Sequence, residues 1–315
     1  INSYRQQPIK EYVMNNNRRS FLKKTGLAGL LLMTGIPSWA RKKQKIIRLT
    51  VLHSNDVHSQ IDPFPANHTR YPGKGGFARR MAYIRQVRSA DNQTLVFDSG
   101  DFFQGTPYFN FYKGKLEIEL MNRMHLDAVT IGNHEFDNGL DMLALRLGEA
   151  NFPVVNANYD FHHPQLKERI KPFIVIERYG VRIGVFGLGV QLDGLVNAKQ
   201  RGDTVWNEPV AVARRISQQL KQQEHCDVVI ALSHAGFSMS NGMDDKAIAA
   251  QTDCIDLILG GHTHTLLKKP EEVINRAGKT VWINQVGSNG VYLGHLNLIL
   301  QRNDNGETQL LACQG

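Results

Sequence analysis

Short apolar runs alternate with longer amphipathic stretches from about residue 41 to the end of the chain. The runs predict strands at Ile46–His53, Thr94–Asp98, Asp127–Ile131, Pro153–Asn156, Phe173–Glu177, Val181–Gly187, Asp227–Leu232, Asp256–Leu259, Val281–Asn284 and Tyr292–Leu300. The stretches predict helices at Phe77–Val87, Leu116–Met124, Leu140–Ala150, Pro209–Gln223 and Asp244–Gln251. Strands that alternate with helices are typical of an α/β domain.

Polar motifs follow five of these apolar runs directly. They are Asn55–His58, Asp98–Asp101, Gly132–Gly139, Ser233–Gly236 and Gly260–His264. In open α/β sheets, ligands bind beyond the carboxyl ends of the strands. We therefore expect five segments that are distant in sequence to meet at one edge of the sheet.

The first two motifs carry carboxylates that suit cations. Asp56 and His58 are two residues apart, so at the end of an extended strand they project on the same side and can hold one ion, although a solvated turn explains the pair equally well. Asp101 has two oxygens that can bridge two cations. Asp98 is interpreted as a turn-capping residue without a catalytic role.

The later motifs add neutral ligands. Asn133 offers an amide oxygen beside His134, a histidine that need not bind metal, and Asp137 follows three residues later. That spacing lets Asp137 fold back onto His134, or cap the next helix instead. His234 follows one strand singly. His262 and His264, on a glycine-rich turn, can direct their imidazoles to two different ions.

The net charge of +8 comes mainly from residues 1–40, which hold six basic residues and one acidic residue. The rest of the chain is nearly balanced, with 31 basic and 28 acidic residues. This balance argues against nucleic acid as a partner.

The basic segment Arg18–Lys24 precedes an uncharged stretch, Thr25–Ala40, and resembles a twin-arginine export signal. About 15 apolar residues are fewer than the roughly 20 that span a bilayer, so we expect no stable membrane insertion after cleavage. We expect an upstream extension and signal at 1–40 and a periplasmic or otherwise extracytoplasmic domain at 41–315.

Two further features leave alternatives open. Cys226, Cys254 and Cys313 lack any C-x-x-C spacing; Cys226 and Cys254, each just before an apolar run, are expected to be small core residues, with one disulfide as the alternative. The segment 102–112 holds six aromatic residues in eleven. It predicts either local core packing or a surface that covers the substrate or docks a substrate-binding partner.

The motif series NDVH, GDFFQG, GNHEFD, SHAG and GGHTH, spread over residues 46–300, resembles the calcineurin-like metallophosphoesterases, in particular the catalytic domain of the 5'-nucleotidase family. The resemblance implies an α/β fold (α+β in some classifications), a four-layer αββα sandwich with two divalent metals at the carboxyl edge of its strands. It implies a first metal held by Asp56, His58, Asp101 and His264, and a second held by Asp101, Asn133, His234 and His262. His134 and Asp137 would form the catalytic pair.

The function implied is hydrolysis of nucleotides by attack of a metal-activated hydroxide on phosphorus, with Mn, Zn, Fe or Co as candidate ions. The substrate would be a 5'-nucleotide, with 2',3'-cyclic nucleotides and UDP-sugars as further candidates. Family members carry a C-terminal nucleotide-binding domain, which we expect to be absent here. The domain would then act alone, or a separate protein would supply that half. A thiosulfohydrolase-like sulfur-ester hydrolase and a silent binding subunit are the remaining alternatives.

Overall fold

The computed structural model describes residues 45–240 and 242–315. The predicted upstream extension and export signal at 1–40 lie outside the described residues.

Fifteen strands and eight α-helices make up the described chain. The strands are β1 (Lys45–Ser54), β2 (Leu95–Asp98), β3 (Ala128–Val129), β4 (Val154–Val155), β5 (Tyr159–Asp160), β6 (Ile170–Lys171), β7 (Phe173–Arg178), β8 (Val181–Gly189), β9 (Val205–Trp206), β10 (Val228–His234), β11 (Leu257–Leu259), β12 (Glu271–Ile274), β13 (Thr280–Asn284), β14 (Gly294–Arg302) and β15 (Thr308–Gln314). The helices are α1 (Phe77–Ala90), α2 (Pro107–Tyr112), α3 (Lys115–Met124), α4 (Leu140–Gly148), α5 (Pro164–Arg169), α6 (Ala198–Arg201), α7 (Pro209–Gln222) and α8 (Asp245–Gln251). One 3₁₀ turn spans His134–Phe136.

Two mixed sheets form the centre of the fold. The first has the order β15-β14-β1-β2-β3-β4-β6. Its strands β1, β2, β3, β4 and β6 run parallel to one another, and β14 is antiparallel to both of its neighbours, β1 and β15. The second has the order β12-β13-β11-β10-β8-β7, with a parallel centre and an antiparallel strand at each edge. Both parallel sets direct their carboxyl ends to loops that carry the predicted motifs.

Three apolar cores separate four layers. Residues of both sheets, such as Leu49, Phe97 and Ile230, form the core between the sheets. A second core lies between the first sheet and α1, α3 and α4, and a third between the second sheet and α7 and α8. Burying one large aliphatic side chain contributes about 1.5–3 kcal/mol, so these cores hold the sheets face to face. The αββα architecture is confirmed.

All ten predicted strands and all five predicted helices are present, with shifted bounds. The strand predicted at Asp127–Ile131 is reduced to β3, although its neighbours still pair, since Asp127 N donates to Val96 O and Thr130 N to Asp98 O. The sequence pattern missed the short elements α2, α5, α6, β5, β6 and β9 and the edge strands β12 and β15. Most of these elements have two to six residues and lack a continuous apolar run, so neither a period nor a run marks them in the sequence.

The cysteine prediction is confirmed for Cys226, which is buried, whereas Cys254 is only half-buried. Cys313 is buried as well, and all three thiols are free. Burial raises the pKa of the Cys313 thiol to about 12. None of the helices in the described residues combines the length and apolar character needed to cross a membrane.

Candidate metal centre

The structure brings all nine predicted site residues to one edge of the two sheets. Asp56 and His58 follow β1, Asp101 follows β2, and Asn133, His134 and Asp137 follow β3. His234 is the last residue of β10, and His262 and His264 follow β11. Each sheet therefore supplies part of the site.

Asp56, His58 and His264 form the first group of donor atoms. His58 Nε2 and His264 Nε2 are 2.9 Å apart, and Asp56 Oδ1 lies 3.4 Å from His264 Nε2 and 4.0 Å from His58 Nε2. One oxygen and two nitrogens thus converge within 4.8 Å of one another, as ligands of a single ion do. Burial lowers the pKa of His58, so its imidazole is neutral at neutral pH.

A second group lies beside the first. Asp101 Oδ2 is 3.0 Å from His234 Nε2, and Asn133 Oδ1 is 3.0 Å from His262 Nδ1. Burial, reinforced by the charge of His234, lowers the pKa of His262 to about 4. Asp101 also shares a cluster with His58 and His134, so its carboxylate stands between the two groups. The two imidazoles of the H-x-H pair diverge, because His264 faces the first group and His262 the second.

The environment of His234 fits a cation. The side chain is fully buried, and Nδ1 lies 2.7 Å from Ser99 O, which it can satisfy only as an N–H donor. Nε2 has no hydrogen-bond partner among the described residues, since Asp101 Oδ2 is close but not in a hydrogen-bonding direction. Burial lowers the pKa of His234, but the Asp101 carboxylate raises it to about 10, so the pair attracts a positive charge.

Gly132 leaves room for two donor side chains of the site. A Cβ atom at Gly132 would collide with Asp101 Oδ1 and His234 Nε2. Glycine at this position is therefore required by the site rather than by the backbone, because the φ angle of Gly132 is not positive.

His134 and Asp137 form a pair at the side of the two groups. His134 Nδ1 is 2.8 Å from Asp137 Oδ2, and the two side chains are 33% and 28% exposed. The hydrogen bond to Asp137 raises the pKa of His134 above its ordinary value. Asp137 does not cap the next helix, since α4 begins after Gly139.

Three buried residues that the sequence analysis did not single out hold the site together. Glu135 accepts N–H groups from Asp101, Phe103 and Gly132 at 2.8, 3.1 and 2.6 Å. Asn55 donates to Asp56 Oδ2 and to Gly287 O, and Gln285 Nε2 donates to Gly261 O. Glu135 and Asn55 lie within the motifs that define the site, and Gln285 follows β13, but their burial does not follow from the sequence pattern. Asp98 caps its turn, accepting from Ser54 Oγ and Gly100 N.

Five of the site residues have backbone angles in the left-handed region. They are Asp56, His58, Asp101, His262 and His264, with φ between 49° and 72°. Such angles cost on the order of 1 kcal/mol for each non-glycine residue and persist only where the surroundings hold them. The surrounding structure therefore holds these loops in strained backbone conformations that direct their side chains into the site. Backbone strain of this kind is common at functional sites.

A four-layer fold with two adjacent groups of metal-capable side chains at the carboxyl edge of its strands fits a metal-dependent phosphoester hydrolase. The family model for calcineurin-like phosphoesterase matches residues 49–266, and the chain belongs to that family. The chain is 32% identical to snake venom 5'-nucleotidase of Crotalus adamanteus over 82% of this chain and 46% of that protein, and 30% identical to human 5'-nucleotidase over 88% and 50%.

A solved structure agrees with the sequence relatives. The 5'-nucleotidase precursor of Thermus thermophilus superposes with a TM-score of 0.76 at 32% identity, covering 85% of this chain and 53% of that one. This chain spans about half the length of these relatives.

Proposed function

We propose that the chain is an exported two-metal phosphoesterase that hydrolyses nucleotides, with 5'-nucleotides as the first substrate class and 2',3'-cyclic nucleotides and UDP-sugars as further ones. The observation that carries the proposal is the position of Asp101 between two donor groups. A carboxylate has two oxygens and can hold two ions about 3.5–4 Å apart, the separation that two-metal hydrolases use.

We assign the ligands as follows. Asp56, His58, Asp101 and His264 would hold the first ion, and Asp101, Asn133, His234 and His262 the second. Imidazole, carboxylate and amide ligands without a thiolate suit Mn²⁺, Zn²⁺, Fe²⁺ or Co²⁺. The unpartnered Nε2 of His234 and the space at Gly132 support this assignment.

When bound, the ions would supply an acidified water as nucleophile and positive charge for the phosphoryl oxygens. The chain itself supplies the acid. His134 is partly exposed beside the donor groups, and its hydrogen bond to Asp137 favours the imidazolium form. As the P–O ester bond breaks, Nε2 of His134 would donate a proton to the leaving oxygen, while Asp137 keeps a proton on Nδ1. Water contributes the new P–O bond.

Relatives named 5'-nucleotidase support the nucleotide as substrate. We propose export on the basis of Arg18 and Arg19 in the leader. Replacement of both by lysine should leave the protein in the cytoplasm of its host, and cell fractionation measures this. An unchanged distribution would contradict twin-arginine transport.

The catalytic proposal is tested with the purified chain and each candidate ion. Phosphate release is measured from AMP, nucleotide products are measured by chromatography from 2',3'-cyclic AMP and UDP-glucose, p-nitrophenol release is measured from bis-p-nitrophenyl phosphate, and sulfate release is measured from a thiosulfonate-bearing cysteine peptide. We expect phosphate release that stops in Asp101→Asn. Sulfate release without phosphate release would support the sulfur-ester alternative instead. Activity on bis-p-nitrophenyl phosphate alone would indicate that recognition of the nucleotide comes from a separate partner.

A further inference from the structure

A basic pocket lies beside the metal centre but outside it. Its volume is about 270 Å³, and it is formed between the start of α1 and the segment after β13. The lining side chains are those of Lys74, Arg79, Arg80, Tyr83, Tyr292 and Leu293. Three of these are cations, and the lining contains no carboxylate.

Arg80 is the unusual member of this pocket. Only 6% of the residue is exposed, and neither Nε nor Nη2 has a hydrogen-bond partner in the part of the chain that the structure describes. The ring of Phe77 covers the guanidinium at 4.1 Å, and the backbone at Gly290 packs close to its other side. Burial lowers the pKa of Arg80 to about 10, so the group is still charged at neutral pH.

The nearest acid does not neutralise Arg80 by contact. Asp98 interacts with Arg80 through space, but its two oxygens accept from Ser54 Oγ and Gly100 N. A buried charge without a paired partner is destabilising. The charge of an anion bound in the pocket would offset that effect.

Arg79 and Lys74 stand at the exposed mouth of the pocket. Arg79 Nη1 donates to Gly73 O, which leaves its other donors available. The positive end of α1, a helix of 14 residues, also lies at this place. A buried guanidinium, two exposed cations and a helix start together favour an oxyanion over a neutral ligand.

We propose that this pocket, the Arg80 pocket, binds a compact oxyanion of the phosphate type. The pocket shares none of the nine residues of the metal centre, yet it is linked to it. Gly290 in its wall directly follows Asn289, whose N–H donates to Asp56 O at 2.7 Å. The anion is either free inorganic phosphate or a second phosphate of a substrate, and both have the same recognition chemistry.

The test is a titration of the full chain with inorganic phosphate by calorimetry, in the presence of Mn²⁺ and again after chelation. We expect two phosphates per chain with metal and one without, because the Arg80 pocket needs no metal. Arg79→Ala and Lys74→Ala should each weaken the metal-independent phosphate about tenfold or more. Arg85→Ala is the matched control, since it removes an exposed cation from the same helix; it should change nothing.

Arg80→Met addresses the buried group and should abolish the metal-independent phosphate while circular dichroism shows a folded chain. If that variant fails to fold, the two exposed variants decide alone. Absence of saturable phosphate binding after chelation, or unchanged affinity in Arg79→Ala and Lys74→Ala, would overturn the proposal. The phosphate titration does not require turnover, so its result is independent of the proposed hydrolase activity.

An increase of KM for ADP but not for AMP in Arg79→Ala would identify the anion as a substrate phosphate. Unchanged KM values would identify it as free phosphate.

Discussion

At the scale of single residues, Glu135 shows how the site is built from its surroundings. Its carboxylate is 2% exposed and accepts three N–H groups from the two loops that present Asp101 and Asn133. Burial and the charge of Asp101 raise the pKa of Glu135 to about 8, although the backbone N–H groups of Gly132 and Phe103 act in the opposite direction. Glu135 therefore fixes the distance between the two loops.

Glu135→Gln should weaken the centre without unfolding the chain. The amide nitrogen cannot accept an N–H, so at least one of the three hydrogen bonds is lost and Asp101 shifts. Groups that orient ligands typically change metal affinity or activity by about 10–100-fold. Metal content and kcat/KM measure the effect, and Glu119→Gln on the exposed face of α3 is the control. Wild-type values in Glu135→Gln would refute the role.

His134→Ala should retain metal while losing turnover. General acid catalysis contributes about 10²–10⁴-fold, and His134 is not among the assigned ligands. Elemental analysis together with kcat for AMP checks this expectation. Loss of metal in parallel with activity would instead make His134 a ligand.

The Asp137→Asn variant should shift the pH profile of kcat. The hydrogen bond to Asp137 raises the pKa of His134, so in the native chain the acid stays protonated to higher pH. In Asp137→Asn that pKa falls, and the alkaline decline of kcat should begin at lower pH. A decline at the same pH in both proteins would show that another group controls it.

At the scale of elements, the site depends on how strands end. Hydrophobic periodicity predicted every long strand and helix that adjoins a loop of the site. Motif spacing predicted that Asp56, Asp101 and His234 meet. It could not predict the left-handed backbone at His58 and His262, because the sequence pattern does not encode which loop residues adopt it. Nor did it predict that Glu135 and Asn55 are buried, since their burial depends on contacts between distant loops.

The aromatic segment at 102–112 is divided between the core and the surface. Phe102, Phe103 and Phe109 are buried in the core beneath α1 and α3, as local packing predicts. Phe111 is 81% exposed and Tyr112 is 52% exposed, so an apolar surface remains on α2. The loop that leads to this surface is tied to the site, because Thr106, just before α2, donates to Ser59 O.

Gly132→Ala should abolish metal binding. The new Cβ would collide with side-chain atoms of Asp101 and His234, and the backbone at Gly132 and Asp101 cannot move without breaking hydrogen bonds to Glu135. Gly148→Ala in α4 is the matched control, as a methyl group added there would meet no atom within 4 Å. Metal content should fall at least about tenfold in Gly132→Ala only, the lower end of the range of about 10–100-fold expected when the groups that orient ligands are disturbed. Full occupancy would mean that the ion sits elsewhere.

At the scale of the molecule, the site joins two sheets that otherwise meet mainly through apolar side chains. Ions that bind donors of both sheets stabilise the folded state, by about 2.7 kcal/mol at a hundredfold excess over Kd. Removal of metal should lower Tm by several degrees, since 1 kcal/mol corresponds to about 2–4 °C in a domain of this size. Calorimetry with and without chelator measures the shift, and Asp101→Asn should show little of it. An equal Tm after complete metal removal would contradict the link.

The arrangement of β1 has a consequence for synthesis. This strand lies between β2 and β14, and Asp56, just beyond its end, accepts the backbone N–H of His262, 206 positions later. During translation, one edge of β1 stays unpaired until β14 has left the ribosome. Contacts between residues so far apart in sequence form slowly. We therefore expect the donor groups to be complete only late in synthesis, because His262 and His264 follow β11, and we expect prematurely terminated chains that lack β11 or β14 to bind no metal pair.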